Sequence, residues 1–182
     1  MLNRITAALL LIAATTATAD ESALEALVGT AGKWAGSLYY LDYQSGQRFA
    51  IPMEANIAAT PDGATVVKRL TWTDPGNLVY AVELTTIDRD TGELVQAFFR
   101  DNNGEHMRYV LTDITIESAD KWQLVYEHNG TDDDRPARIR HTLTRESGLL
   151  ISKKSVRFLD DEDDKFFERN GSELRLIEPR SS

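Results

Sequence analysis

The 182-residue chain contains no cysteine. That absence excludes a disulfide framework, a thiolate zinc site and a lipid-modified cysteine behind a leader segment. Basic residues are also scarce, because 20 Lys and Arg stand against 29 Asp and Glu, for a formal charge of −9 at pH 7. A protein this acidic repels nucleic acid and anionic lipid, so we expect no nucleic-acid partner.

A long hydrophobic run is found only near the N-terminus. Arg4 precedes the apolar stretch 5–14, which is too short to span a bilayer, and Ala17-Thr18-Ala19 fits the small-x-small pattern of a signal-peptidase site. We therefore predict that residues 1–19 are a signal peptide cleaved before Asp20. The mature protein is then expected in the periplasm or secreted, with no membrane span.

The rest of the chain, residues 20–182, has the length of a single domain. It begins with a short predicted helix, because Ser22 and Glu25 have the spacing of a capping box and are followed by an apolar stripe. Gly29 and Gly32 then provide a natural stop.

From residue 33 onward the hydrophobic period changes from about 3.6 to 2, which indicates strands. About ten short runs follow, separated by turn signals. The predicted turns and loops are Gln44-Ser45-Gly46, Pro61-Asp62-Gly63, Asp74-Pro75-Gly76-Asn77, Asp90-Thr91-Gly92, Asn102-Asn103-Gly104, the loop 129–136, Ser147-Gly148 and Asn170-Gly171. The pattern predicts an all-β fold, an antiparallel up-and-down barrel of about ten strands with a short N-terminal helix.

Two irregularities are predicted within the strands. Pro52 cannot donate to a ladder, so its strand needs an unpaired position, a bulge or an edge there. Apolar residues occupy odd positions up to Leu111 and even positions from Ile114, and this slip requires a bulge or bend near Thr112 and Asp113.

The segment Gly32-Lys33-Trp34-Ala35-Gly36 at the head of the first strand resembles the glycine-x-tryptophan signature of lipocalins and related barrels. In that family the tryptophan packs across the closed end of the barrel beneath a late arginine, and the other end admits an apolar ligand. The resemblance implies that role for Trp34 and offers Arg157, Arg169 or Arg175 as the arginine. The ten-run pattern is also similar to the nitrobindin barrels, which bind haem.

Our leading hypothesis is an exported lipocalin-like barrel that binds or carries a small, largely apolar molecule. The candidate ligand-binding residues are Tyr40, Tyr80, Phe98, Tyr109, Trp122 and Tyr126, with His141 or Arg157 as a polar contact. His128 and His141 fall on apolar faces and His106 does not, so His141 is the candidate ligand if the barrel binds haem. A lone inward histidine is more often a hydrogen-bonded core residue, and we expect neither a cofactor nor a metal.

The alternative is a packed barrel that serves as a non-catalytic structural or interaction module for another envelope protein, through its loops or the edge near Pro52. The chain has no Gly-x-Ser-x-Gly elbow, and its few serines lie mostly in predicted turns, which disfavours an enzyme without excluding one. Asn129-Gly130-Thr131 and Asn170-Gly171-Ser172 match the glycosylation acceptor pattern, but Asn-Gly is equally a preferred turn dipeptide and we favour turns.

Overall fold

The computed structural model describes residues 18–42 and 45–179, which form one helix and ten strands. The elements in chain order are α1 (Ala19–Val28), β1 (Gly32–Leu41), β2 (Arg48–Ala59), β3 (Thr65–Asp74), β4 (Asn77–Ile87), β5 (Leu94–Arg100), β6 (Asn103–Ser118), β7 (Lys121–Asp132), β8 (Arg135–Glu146), β9 (Leu149–Phe158) and β10 (Phe167–Pro179). Each strand pairs antiparallel with the next, and β10 pairs with β1. The predicted all-β, up-and-down barrel with a short N-terminal helix is confirmed.

The predicted signal segment up to Ala17, and Gln44 of the first predicted turn, lie outside the described residues. Among the residues that are described, no helix has the length and apolar character needed to cross a membrane.

The hairpin between β5 and β6 turns one residue earlier than predicted. Asp101 and Asn102 occupy the turn, with φ of 51° and 63°, whereas Asn103 and Gly104 already belong to β6. Asp and Asn tolerate positive φ better than other non-glycine residues, so they supply the turn. Gly104 has a packing role instead, because a Cβ there would lie 3.0 Å from the ring of Phe99.

The predicted loop 129–136 is also wrong, because β7 and β8 continue as far as a tight turn at Asp133 and Asp134 (φ 52° and 57°). Asn170 and Gly171 do not turn either and lie within β10. At Gly171 the reason is close packing on the outside of the barrel, where a Cβ would lie 2.5 Å from the hydroxyl of Tyr39.

Both predicted strand irregularities are present. The β6–β7 register shifts between Leu111 and Asp113, which accounts for the change of phase in the apolar pattern. Pro52 pairs with Ser37 in the β1–β2 ladder, but the β2–β3 ladder begins only at Met53. The proline therefore occupies a position that is unpaired toward β3, where a missing N–H breaks no ladder hydrogen bond.

Helix α1 lies across one end of the barrel. Its capping box is formed by Thr18 and Glu21 and not, as predicted, by Ser22 and Glu25, so the helix begins one turn earlier. It ends at Gly29 as predicted. The residues of α1 that pack into the barrel core are Ala23, Ala26 and Leu27.

Trp34 packs at the α1 end of the barrel and connects several elements there. Its side chain is 1% exposed, and Nε1 donates to the carbonyl oxygen of Thr30 at 2.8 Å. The guanidinium of Arg145 lies 5.6 Å from the Trp34 ring centroid and donates to the carbonyl oxygen of Gly29. One aromatic ring and one arginine thus join β1, β8 and the segment that follows α1.

The arginine over Trp34 is therefore Arg145, and the expectation of Arg157, Arg169 or Arg175 was wrong. Arg145 pairs with Trp122 near the start of β7, at the α1 end of the barrel. Arg169 lies near the start of β10, at the opposite end, which we call the far end. Arg157 and Arg175 are in register with outward-facing residues.

We predict that Gly36→Ala destabilises the barrel where β1 meets β10. A Cβ at residue 36 would lie 1.9 Å from the backbone oxygen of Glu173, so the two strands would have to separate. Chemical denaturation should show a loss of about 1–3 kcal/mol or more in the free energy of unfolding. The matched control is Gly148→Ala, where a Cβ would meet no described atom within 4 Å. Equal effects of the two changes would contradict the prediction.

Candidate functional site

A continuous polar belt lines the interior space of the barrel, the lumen, across four adjacent strands. Lys68 Nζ donates to Glu83 Oε1 at 2.6 Å, and Thr85 Oγ1 contacts the same oxygen at 3.2 Å. Gln96 Nε2 donates to Thr85 Oγ1 at 3.4 Å, and the hydroxyl of Tyr109 donates to Gln96 Oε1 at 3.2 Å. The belt consists of these five residues, on β3, β4, β5 and β6.

The belt faces inward because of strand alternation. Lys68 lies between the buried residues Val66 and Leu70 on the same face of β3, and Glu83 is its direct partner on β4. The side chains of Lys68 and Glu83 are nevertheless 15% and 14% exposed. In a closed barrel an inward side chain in mid-strand can be exposed only if solvent reaches it through the lumen. The lumen therefore contains accessible space beside this ion pair.

Four rings from β6, β7 and β8 continue the belt. Tyr126 stacks on His141 with ring centroids 5.3 Å apart and an interplanar angle of 8°. Tyr109 makes edge contacts with both of them, at 5.1 and 5.4 Å, and with His128 at 4.8 Å. These four residues are the ring cluster.

Burial determines the ionisation of the ring cluster. Burial, with smaller contributions from His128 and Lys154, lowers the pKa of His141 to about 3. Burial and the charge of Lys154 also lower the pKa of His128. Burial raises the pKa of the Tyr109 and Tyr126 hydroxyls well above their usual value. The cluster is therefore uncharged at neutral pH, and its imidazoles and hydroxyls act as hydrogen-bonding groups.

A second charged group lies nearer the far end. The buried carboxylate of Asp132, at the end of β7, contacts Lys154 Nζ at 2.9 Å and Arg169 Nε at 2.7 Å. Arg169 falls where the β9–β10 register shifts, between Glu168 and Asn170. One buried carboxylate is thus paired with two cations from neighbouring strands.

Apolar side chains complete the lumen. Trp72 and Phe98 face each other with ring centroids 6.5 Å apart, on β3 and β5. Further apolar residues of the same core, on β1, β2 and β3, are Leu38, Ile51, Met53, Ala55, Ile57 and Leu70. The lumen thus has an apolar side, mainly β1 to β3, and a polar side that includes β4 to β9.

Four of the predicted ligand-binding residues face the lumen away from α1. Tyr109, Tyr126 and His141 are brought together in the ring cluster, and Phe98 belongs to the apolar side. Their inward direction follows from the alternation seen in the sequence, but their mutual contacts depend on barrel closure.

The other four lie elsewhere. Trp122 is buried but lines a cleft beneath α1, at the closed end. Tyr40 is 45% exposed near the end of β1. Tyr80 is 63% exposed on the outer face, and Arg157 is also on the outer face, where it ion-pairs with Asp164.

The sequence reading did not single out Lys68, Glu83, Gln96, Asp132 or Lys154. A signal for Lys68 was present, because a lysine interrupts the otherwise apolar series Val66, Leu70 and Trp72 on one strand face. Its partner on β4 could not be identified without the strand register. In the described parts of the chain, no three His, Asp or Glu side chains come together as a metal site.

No protein-family model matches the chain, and no curated protein matches its sequence. Among solved structures it is similar to the crystal structure of Rv2717c from M. tuberculosis, with a TM-score of 0.54 and 14% identity. The match covers 85% of this chain and 96% of that chain. At this level of identity the similarity supports the barrel fold alone.

We predict that acid destabilises the protein through His141. Its pKa is about 6.5 in an unfolded chain and about 3 in the barrel. Between these values the unfolded state binds a proton that the folded state does not, so stability is fully present above about pH 6.5 and falls as the pH is lowered. Urea denaturation should show a loss on the order of 2 kcal/mol between about pH 6 and about pH 4.5.

Substitution of His141 separates its contribution to the pH dependence of stability from the contributions of the carboxyl groups. His141→Phe keeps an aromatic ring beside Tyr126 and should reduce the pH dependence, whereas His106→Phe, on the exposed outer face, should leave it unchanged. If the free energy of unfolding of His141→Phe falls with decreasing pH as steeply as that of the unchanged protein, other groups cause the loss of stability in acid.

Proposed function

We propose that this chain is an exported barrel whose lumen binds a small amphipathic molecule. Accessible space beside the Lys68–Glu83 ion pair carries the proposal, because a barrel serving only as a solid module gains nothing from solvent-accessible charges inside it. The signal-like segment 1–19 supports export to the periplasm or the medium.

The composition of the lumen favours an amphipathic ligand over a wholly apolar one. A wholly apolar molecule would cover the polar belt without satisfying its hydrogen-bonding groups, which costs free energy for each group left unpaired. A ligand with an apolar body and one polar or charged end fits both sides. The body would contact residues such as Met53 and Trp72, and the polar end would lie near Lys68 and Glu83.

Two fluorescent probes of matched shape test this proposal. We expect saturable binding of 8-anilinonaphthalene-1-sulfonate, which is anionic, and of N-phenyl-1-naphthylamine, its uncharged parent. Glu83→Gln leaves the Lys68 ammonium uncompensated and should tighten binding of the anionic probe roughly tenfold. Lys68→Met leaves the Glu83 carboxylate uncompensated and should weaken binding of the anionic probe by a similar factor. Binding of the uncharged probe should change little in either variant.

The control is Glu173→Gln, which removes a carboxylate from an exposed ion pair with Arg48. It should leave the affinity of both probes unchanged. The proposal fails if neither probe binds saturably, or if the lumen variants shift both probes equally. A haem-dependent Soret band that disappears in His141→Ala would instead identify haem as the ligand.

A second candidate function is docking of a partner protein on the outer face. The outer apolar strip consists of Leu78, Tyr80, Val82 and Phe99, which are 58%, 63%, 37% and 50% exposed. A groove of about 730 Å³ runs along it and is also lined by Arg69 and Arg100. Contiguous exposed apolar surface of this kind marks interaction sites.

The lining of the groove is largely apolar. Arg100 lies 3.3 Å from Asp101, which also lines the groove, so the charge of that arginine is compensated and the face does not select an acidic partner. A bilayer carrying anionic lipid would face the whole acidic molecule and be repelled. We therefore infer an apolar segment of an envelope protein as the occupant.

Cross-linking in the native compartment tests this candidate. A species containing the barrel and a partner protein should be captured, and it should disappear when Tyr80 and Phe99 are both replaced by serine. Tyr40→Ser removes an aromatic residue that is 45% exposed on a different part of the surface and should retain the species. Loss in both variants, or in neither, would rule out the outer apolar strip as the docking site.

A further inference from the structure

We propose that signal cleavage moves the N-cap of α1 by one helical turn, from Thr18 to Ser22. The inference rests on the proposed export and on the geometry of the helix start. The expected cleavage site, between Ala19 and Asp20, falls within the first turn of α1 as the full chain forms it. Hydrolysis of that peptide bond would leave Thr18 on the released segment and a new α-ammonium on Asp20.

Thr18 makes three of the hydrogen bonds that begin the helix. Its hydroxyl oxygen accepts from the Glu21 backbone N–H at 3.3 Å, and its own N–H donates to Glu21 Oε2 at 3.0 Å. Its carbonyl oxygen accepts from the Ser22 N–H at 3.0 Å. Cleavage removes all three, so the first helical N–H groups lose their partners.

The new α-ammonium destabilises the first turn of the original helix. It would lie where the helix macrodipole is already positive, which disfavours helical structure in the first turn. Residues 20 and 21 are therefore expected to unwind in the processed chain.

Ser22 and Glu25 can replace the lost cap. They repeat the spacing of Thr18 and Glu21 one turn later, and Glu25 is exposed and free to reach back to the Ser22 N–H. The residues of this segment that are buried in the barrel core or bonded to Arg145 all lie beyond Ser22. They are Ala23, Ala26 and Leu27 in the core and Gly29, whose carbonyl oxygen accepts from Arg145.

The shift has a consequence for the surface beside the helix. Asp20 lines a cleft of about 480 Å³ that reaches Ile87 and another of about 530 Å³ that reaches Ile114. Unwinding of residues 20 and 21 would widen both clefts. In the full chain Asp20 packs on the β4–β5 turn, where it lies against Gly92.

The test compares two forms that carry no added residues, one of residues 17–182 and one of residues 20–182. Each is measured with and without Ser22→Ala. In the longer form Ser22 lies inside the helix, where alanine is the better helix former, so Tm should stay constant or rise by about 1 °C. In the shorter form Ser22 is the cap, so its removal should lower Tm by about 2–4 °C. Hydrogen exchange should show the amide of Glu21 protected only in the longer form, because its acceptor is the Thr18 hydroxyl.

Thr18→Ala in the longer form is the matched control and should lower Tm by a similar amount, because it removes the cap used there. The proposal is overturned if Ser22→Ala changes Tm equally in both forms, or if the Glu21 amide is equally protected in both forms. It is also overturned if the mass of the exported protein shows an N-terminus other than Asp20. None of these readouts depends on ligand binding, so the proposed function can fail separately.

Discussion

Pairing of β1 with β10 turns an open sheet into a barrel, and the remaining features of the molecule depend on that closure. The close approach of these two strands requires glycine. At Gly36 a side chain would clash with the backbone of β10, and at Gly171 it would clash with Tyr39 and the backbone of β9. Closure gives each of the ten described strands a neighbour on both sides, although β2 stays unpaired toward β3 as far as Pro52, and it divides their side chains into those facing the lumen and those facing outward.

The two ends of the barrel differ in the side chains that fill them. At the α1 end, Trp34, Arg145 and the buried residues of the helix form a closed base. Toward the far end the lumen contains a polar belt, the ring cluster and the group around Asp132. Buried ion pairs and unpaired imidazole nitrogens, such as the buried Nδ1 of His128, stabilise the folded state no better than well-packed apolar residues would. Their presence in a barrel that also has an apolar side fits a recognition surface better than a solid core.

Much of the architecture could be predicted because it follows from local chemistry. The period-2 alternation identified the strands, and the change of phase near Asp113 located a bulge that the β6–β7 register contains. Pro52 marked a position unpaired toward β3, because proline has no N–H to donate. Of the turn predictions based on Asn-Gly, the hairpin at Asn102-Asn103-Gly104 is present but turns one residue earlier, and those at Asn129 and Asn170 were wrong. At Gly104 and Gly171 the glycine makes room for an aromatic ring from a neighbouring strand, which no local pattern reveals.

By itself the sequence determined the barrel class and the inward direction of Tyr109, Tyr126 and His141, because alternation and turn chemistry act between near neighbours in the chain. The resemblance of Gly32-Lys33-Trp34 to the glycine-x-tryptophan signature implied the anchoring tryptophan. Only the tertiary structure decided that Arg145 covers Trp34, that Tyr80 and Arg157 face outward, and that Lys68 meets Glu83 within the lumen. Those pairings join residues on different strands, and their partners are set by strand register and by closure of the sheet. A one-residue change of register would reverse the face of each side chain, so the chemistry of the lumen depends on the whole barrel.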